Sequence, residues 1–434
     1  MPDHGKRLGK GPGPPGAGTV ANMAGVAILG YGVVGAGTAR LLTTGREPVR
    51  GRTGLDLELR RIVDIRQFPD DPLAPLMTSD FSDVLADPEI RVVVETIGGI
   101  GVALKFTRLA LTSGRHVVTS NKELVATYGP ELMELAAESG VQYLFEASVG
   151  GGIPIIHPMR VCLAANEIRG VSGILNGTTN YILTRMELAG IPFVTALKEA
   201  QEHGFAEQNP EADVEGTDAC RKLAILSSIA YGGFVAWKDI HTEGISLVDA
   251  DLIDIASSAC AQVKLVARSH RTSDGRIAAS VSPAALSRTH PVACASGVNN
   301  AIAVVGDSLG TVLFYGPGAG ALPTASAVVS DILECLERDK ADRRHMWPSL
   351  PDHAMLPFAE HPVCVLAQLK PGGSAGMHAR FAEHGVRCRA FGTQDDVLLC
   401  GGDDTLTEGI LEQILAASRQ EMAERTFRWI RYIG

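Results

Sequence analysis

Asp218 and Lys222 stand four residues apart in GTDACRKLAILSSIA, where Leu223, Ile225 and Leu226 mark the apolar face of a helix. That spacing puts carboxylate and ammonium on one face, with the acid on the N-terminal side, the favourable order. Taken alone this is an ordinary ion pair worth about 0.2–0.5 kcal/mol. The preceding loop adds Glu207, Asp213 and Glu215 around the helix start. A small substrate bearing an ammonium group needs such carboxylates to hold it. Acids at a helix N-terminus are also good caps, and spacing does not separate the two uses.

A different chemistry is written near the chain's beginning. The apolar run Val26 to Leu29 leads into Gly30, Tyr31, Gly32, Val33, Val34 and Gly35, then into small residues suited to a helix from about Ala36. Strand, glycine turn and helix fit a dinucleotide site: Gly30 for the tight turn, Gly32 for approach of a pyrophosphate, Gly35 for close packing, and free helix N–H groups facing phosphate. A glycine-rich turn with no ligand uses the same residues. The next strand, Leu57 to Val63, ends at Asp64, and the loop TTGREPVRGRTG lengthens the interval. An acid there bonds a ribose 2′-OH and favours NAD, whereas Arg66 meets a 2′-phosphate and favours NADP. Asp64 also reads as a plain strand-end turn residue.

These residues need a scaffold. Helices near Phe81–Leu85, Ala103–Thr112 and Tyr128–Ser139 alternate with strands Val92–Glu95, His116–Thr119 and Tyr143–Glu146. Parallel-sheet spacing of this kind predicts a doubly wound α/β unit, a Rossmann dinucleotide-binding domain, over residues 25–150. Ligands sit beyond the carboxyl ends of such strands, which selects Thr96 and the turn Thr119-Ser120-Asn121-Lys122 as the nicotinamide's neighbourhood. Residues 151–340 read as an α+β substrate and dimerisation domain, whose helix Pro323–Leu336 is expected to return to the first unit. The charged, Pro-bearing stretch 341–355 reads as a linker, and 356–434 as βαββαβ, the ferredoxin-like plan.

A chain of 434 residues, 45% hydrophobic and 20% charged, predicts two or three globular domains and excludes a disordered or collagen-like chain. Subtracting 49 acidic from 39 basic residues leaves −10, no electrostatic footprint for nucleic acid or an anionic membrane. The longest apolar runs fall short of the ~20 residues that span a bilayer. Eight cysteines without a C-x-x-C pair read as reduced thiols of a cytoplasmic protein. Residues 1–24, dense in Gly and Pro and lacking a signal peptide's apolar core, read as a disordered leader.

In chain order, GYGVVG, TSNKELVA, EASVGGGIPII, GILNGTTNYIL, GFAEQNPEADVEGTDACRKL and GPGAGALPTASAVVSD resemble homoserine dehydrogenases of the monofunctional type, over residues 25 to about 335. With only a Gly/Pro leader in front, no aspartate-kinase domain is expected. The resemblance implies reversible hydride transfer between aspartate 4-semialdehyde and homoserine with NAD or NADP, on the route to threonine, methionine and isoleucine. It implies that Lys222 gives a proton to the aldehyde oxygen, a task favoured when burial lowers an ammonium's pKa. Asp218 would orient it, and Lys122 would polarise the same oxygen. Glu207 would hold the substrate ammonium, with Asp213, Asn176, Gly177 and Thr178 also at the substrate; the last three read equally as a helix-capping turn.

The resemblance further places cofactor contacts at Tyr31, Gly32, Val33, Thr96, Lys122 and Gly320, with Ser120 in the same turn. It maps a sodium site to Glu146 and the carbonyls of Val149, Gly151 and Ile153, a bend that could equally be free of any ion. The βαββαβ end is similar to ACT regulatory domains, which implies a threonine effector. Gly372, Gly373 and Gly376 are kept there, but Lys370-Pro371 stands where an acid commonly precedes Pro or Gly. A homodimer or higher homo-oligomer is expected. Two alternatives differ in chemistry. An aspartate-semialdehyde dehydrogenase needs a thiolate, with Cys162 and Cys220 nearest, although Cys220 lies only two residues from Lys222 and so points elsewhere. A dinucleotide-binding sensor without turnover would need none of Lys122, Glu207, Asp218 and Lys222.

Overall fold

The computed structural model describes residues 22–338, 346–369, 374–392, 396–402, 405–419 and 427–434. Most of the expected leader and the turn Lys370–Gly373 therefore lie outside the described residues. The first unit runs β1 (Asn22–Leu29), α1 (Val33–Thr44), α2 (Arg46–Thr53), β2 (Leu55–Val63), β3 (Met77–Thr78), α3 (Ser82–Ala86), β4 (Ile90–Glu95), α4 (Gly101–Thr112), β5 (His116–Thr119), α5 (Lys122–Glu138) and β6 (Tyr143–Leu144). Its six strands are all parallel in the order β3-β2-β1-β4-β5-β6. Val26, Ile28, Val92 and Val94 are fully buried, as they must be when both faces of a parallel sheet are covered. This is a Rossmann-like sheet, with its topological switch between β1 and β4.

The second unit runs β7 (Ile168–Ile174), α6 (Gly177–Ala189), α7 (Phe193–Glu202), α8 (Glu211–Val214), α9 (Thr217–Tyr231), β8 (His241–Thr242), α10 (Ala250–Ser258), β9 (Ala261–Arg271), β10 (Ile277–Ser287), β11 (Asn299–Gly306), β12 (Gly310–Pro317) and α11 (Ala321–Arg338). Then follow β13 (Cys364–Leu369), α12 (Ser374–Glu383), β14 (Cys388–Ala390), β15 (Val397–Gly401), α13 (Glu408–Ala417) and β16 (Phe427–Ile433). The last four strands are antiparallel in the order β16-β13-β15-β14, and β16 also pairs in parallel with β10. One sheet therefore passes without a break from the second unit into the C-terminal one. Helix α11 lies on the first sheet: Val328 and Ile332 share a core with Val26, Ile28, Ala39 and Leu42.

Several local expectations are corrected. The loop TTGREPVRGRTG folds largely into α2, pinned by Arg46 Nε on Asp56 at 2.6 Å and ended at left-handed Gly54. Strand β1 begins four residues before Val26 and α1 at Val33 rather than Ala36. Helix α5 begins at Lys122, six residues before Tyr128, because the Asn121 side chain caps it by accepting the Leu124 N–H at 3.1 Å. The described part of the linker is a packed strap. Trp347 is buried with its ring 5.4 Å from that of Phe145, and the Phe234 and Ile277 N–H groups bond the Pro348 and Ala354 carbonyls, both at 2.8 Å. Charge and proline had outweighed these apolar anchors in the sequence. Not all thiols are free either: Cys388 and Cys400 are register partners on β14 and β15 and form a disulfide.

Candidate active site

Helix α9 starts at left-handed Gly216, so Asp218 sits in its first turn and is buried. Two amines from different units meet on that carboxylate. Lys222, one turn along α9, places Nζ 2.7 Å from Oδ2, and Lys122, first residue of α5, places Nζ 3.0 Å from Oδ1. Lys222 Nζ also donates to the Leu175 carbonyl at 2.9 Å. Burial alone would push the Asp218 carboxyl up, but the Lys222 and Lys122 ammoniums override it and hold the group well below the usual carboxylate range. In return, Asp218 raises the Lys122 ammonium above its ordinary value.

The cleft in front is about 290 Å³ in volume, and its wall includes Thr96, Ser120, Lys122, Glu207, Asp213 and Asp218. Burial, and then the charge of Asp218, push the Asp213 carboxyl up. Lys222 is the more buried of the two amines, its side chain 12% exposed against 41% for Lys122. Asn176 is buried at the N-terminal end of α6, which Gly177 and Thr178 open. Asn176 makes the cap its sequence offered, Oδ1 accepting the Thr179 N–H at 2.8 Å at the start of α6, and its Nδ2 donates to Asp213 at 2.7 Å and Asp218 at 2.9 Å. Thr178 donates its hydroxyl to the Phe205 carbonyl at 2.7 Å, fixing the loop that leads to Glu207.

At the glycine turn, a Cβ on Gly35 would lie 1.9 Å from the Gly30 carbonyl oxygen, so no side chain fits there. Space beside Gly32, which precedes α1, is open, and Val33 beyond it is exposed. Open backbone at a helix N-terminus suits a pyrophosphate. The conflicting pair at the end of β2 proves to be one ion pair. Arg66 Nη2 reaches Asp64 Oδ2 at 2.8 Å, and the Tyr31 N–H donates to the same oxygen at 2.7 Å. The Arg66 guanidinium is what chiefly holds the Asp64 carboxyl well below its ordinary range. Thr96 ties the end of β4 to the turn by donating its hydroxyl to the Leu29 and Gly30 carbonyls at 3.0 and 2.9 Å. The Ala321 carbonyl oxygen lies 2.5 Å from where a Gly37 Cβ would be, which brings Gly320, at φ 131°, beside the start of α1.

The Glu146 carboxylate is engaged by the main chain. Its oxygens accept the N–H groups of Ile155, Ile156 and His157 at 2.6–2.8 Å. Any ion at this bend is left with the main-chain carbonyls. Nor does Cys220 serve a thiolate mechanism: burial pushes its thiol up, and Sγ is engaged at the Trp237 carbonyl, 3.2 Å away.

Sequence reasoning missed three groups. Glu123 and Arg221 belong to the cleft wall and pair at 2.8 Å. Their signal was adjacency, since each neighbours a lysine in NKEL and CRKL. Buried Glu95 accepts the Thr119 hydroxyl at 2.6 Å and the Ile97 N–H at 2.8 Å, bracing the strand ends that form the cleft floor.

A family profile described as "Homoserine dehydrogenase, NAD binding domain" matches residues 30–146, and one described as "Homoserine dehydrogenase" matches residues 154–333. A homoserine dehydrogenase of Synechocystis sp. is 43% identical over 321 residues, 71% of this chain and 72% of that protein. The crystal structure of a homoserine dehydrogenase from Thiobacillus denitrificans superposes with a TM-score of 0.85 at 34% identity, covering 95% of this chain and 99% of that one. A hyperthermophilic archaeal homoserine dehydrogenase in complex with NADPH gives a TM-score of 0.61 at 28% identity, over 73% of this chain and 98% of that one. No helix among the described residues is long and apolar enough to cross a membrane. With relatives of this identity along most of its length, the chain belongs to the homoserine dehydrogenase family.

Proposed function

We propose that Lys122, Asp218 and Lys222 carry the proton chemistry of homoserine oxidation and aspartate 4-semialdehyde reduction in this protein. The nicotinamide cofactor, when bound, supplies hydride to the aldehyde carbon or accepts it from the alcohol. As the carbonyl oxygen gains negative charge, Lys122 at the cleft wall polarises it, and Lys222 gives it a proton; in the reverse direction Lys222 takes that proton back. Asp218 keeps both amines aimed at one place. The observation that carries this reading is the convergence of two amines, one from each unit, on a single buried carboxylate beside an acid-lined cleft. Homoserine and aspartate semialdehyde are zwitterions with a reactive terminal oxygen, and Glu207 with Asp213 holds the ammonium end.

Removing the charge with Glu207→Gln is expected to raise KM for homoserine by about 10–100-fold, the loss of one charge-assisted hydrogen bond, with kcat nearly unchanged. Steady-state kinetics check it, and an unaltered KM removes the ammonium role. A spectrophotometric assay with homoserine and each cofactor tests the reaction itself. Turnover with NAD or NADP is expected, and no reduced cofactor with either would reject it.

The remaining assignments extend this reading. Gly30, Tyr31, Gly32, Val33 and Gly35 hold the pyrophosphate, Asp64 and Arg66 meet the adenosine ribose, and Thr96, Ser120, Lys122 and Gly320 surround the nicotinamide. For NADP, Arg66 has to exchange Asp64 for the 2′-phosphate. A sodium ion at the bend takes the carbonyls of Glu146, Val149, Gly151 and Ile153. Units 25–150 and 151–340 bind cofactor and substrate. Unit 356–434 is an ACT-like domain with threonine as effector, supported by its β16-β13-β15-β14 order. A homodimer is supported by β12, an edge strand that exposes Leu313 and Tyr315. The protein works in the cytoplasm on the route to threonine, methionine and isoleucine.

A further inference from the structure

Lys122 belongs to α5 of the first unit and Lys222 to α9 of the second, so the reaction depends on how these helices are held together. Two links cross the same gap. One is Lys122 to Asp218 at 3.0 Å, and the other is Arg221 Nη2 to Glu123 Oε1 at 2.8 Å. Glu123 directly follows Lys122, and Arg221 directly precedes Lys222. Neighbouring helix residues point about 100° apart, so the second link runs beside the first rather than over it.

The second link is built more firmly than a surface ion pair. The Arg221 guanidinium lies 5.0 Å from the centre of the Trp237 ring, its side chain is 17% exposed, and that of Glu123 is 31% exposed. A guanidinium held over an indole and bonded to a carboxylate has little freedom left. The first link has a different duty. Lys122 has three donors and must turn at least one to the substrate oxygen, which loosens its hold on Asp218 just when the geometry matters most. Glu123 and Arg221 keep the helices in place through that exchange.

We propose that the Glu123–Arg221 pair is the latch that fixes the helix carrying Lys122 against the helix carrying Lys222, making both its members positioning residues for hydride and proton transfer. The inference rests on the proposed roles of those two lysines. A misplacement of about 1 Å costs up to 10²-fold in rate. Glu123→Gln and Arg221→Met are therefore each expected to lower kcat by about 10–100-fold, with KM for homoserine changed by less than about threefold.

The test is a double-mutant cycle on the full-length protein, with rates expressed per cofactor-binding site. Two members of one latch are lost together, so the double variant should be no slower than the slower single one. Arg221→Lys, which retains a charge but not the flat guanidinium, should recover part of the rate. Rates within twofold of the unaltered protein in Glu123→Gln, the milder change, would overturn the latch, and so would losses that multiply in the double variant. If the unaltered protein itself fails to oxidise homoserine, the underlying reading fails instead, and the two failures are told apart in one assay.

Discussion

Lys222→Ala is expected to lower kcat by about 10²–10⁴, the span of general acid catalysis, while cofactor affinity stays nearly constant. The expectation follows from where Lys222 lies. Its amine is fixed by Asp218 Oδ2 at 2.7 Å and by the Leu175 carbonyl at 2.9 Å, on α9 of the second unit, whereas the glycine turn lies between β1 and α1 of the first. Truncation removes the donor without touching the dinucleotide fold. Stopped-flow turnover combined with cofactor fluorescence titration separates the two effects. Unchanged turnover would remove Lys222 from the chemistry, and equal losses in turnover and affinity would make it a general support instead.

Asp218→Asn is expected to cost about 3–5 kcal/mol of stability as well as activity. The size comes from the rule for breaking a buried ion pair by removing one partner; it applies to Lys222, whose side chain is 12% exposed, and much less to Lys122 at 41%. The pH dependence has a definite sign. The folded-state pKa of Asp218 is depressed, so its contribution is fully present above an unfolded carboxylate's pKa of about 3.9 and is lost as pH falls through the lower folded value. Urea unfolding of both proteins between neutral and acid pH should show their difference persisting down to about pH 4 and narrowing below it. In activity, the variant's Lys122 loses the charge that chiefly raises its pKa, so the alkaline limb of the rate profile should move to lower pH. A variant as stable as the parent at neutral pH would contradict the charge reading of this cluster.

Much of this site was legible in the residues because its parts are local. A strand followed by GYGVVG leaves the chain few conformations, and the structure places Gly35 where nothing larger fits. The Asp218–Lys222 spacing gave a shared helix face. What spacing could not give was the third member. Lys122 lies 96 positions before Asp218, and only the packing of α5 on α9 brings it to 3.0 Å. The start of α5 was misplaced for a similar reason, since Asn121 looks like a turn residue until its side chain is seen to accept the Leu124 N–H. Composition misled at the strap, where Trp347 outweighs its charged neighbours, and at Cys388 and Cys400, whose pairing depends on the register of two short strands.

The central claim is that two amines serve one reacting oxygen through one carboxylate. The rate of hydride transfer in a single turnover, measured for Lys122→Ala, Lys222→Ala and the double variant under saturating homoserine and cofactor, tests it most directly. Groups that act as a unit are strongly non-additive, so the double variant should be far faster than the product of the two single losses predicts. Losses that simply multiply would show two independent amines and contradict the account.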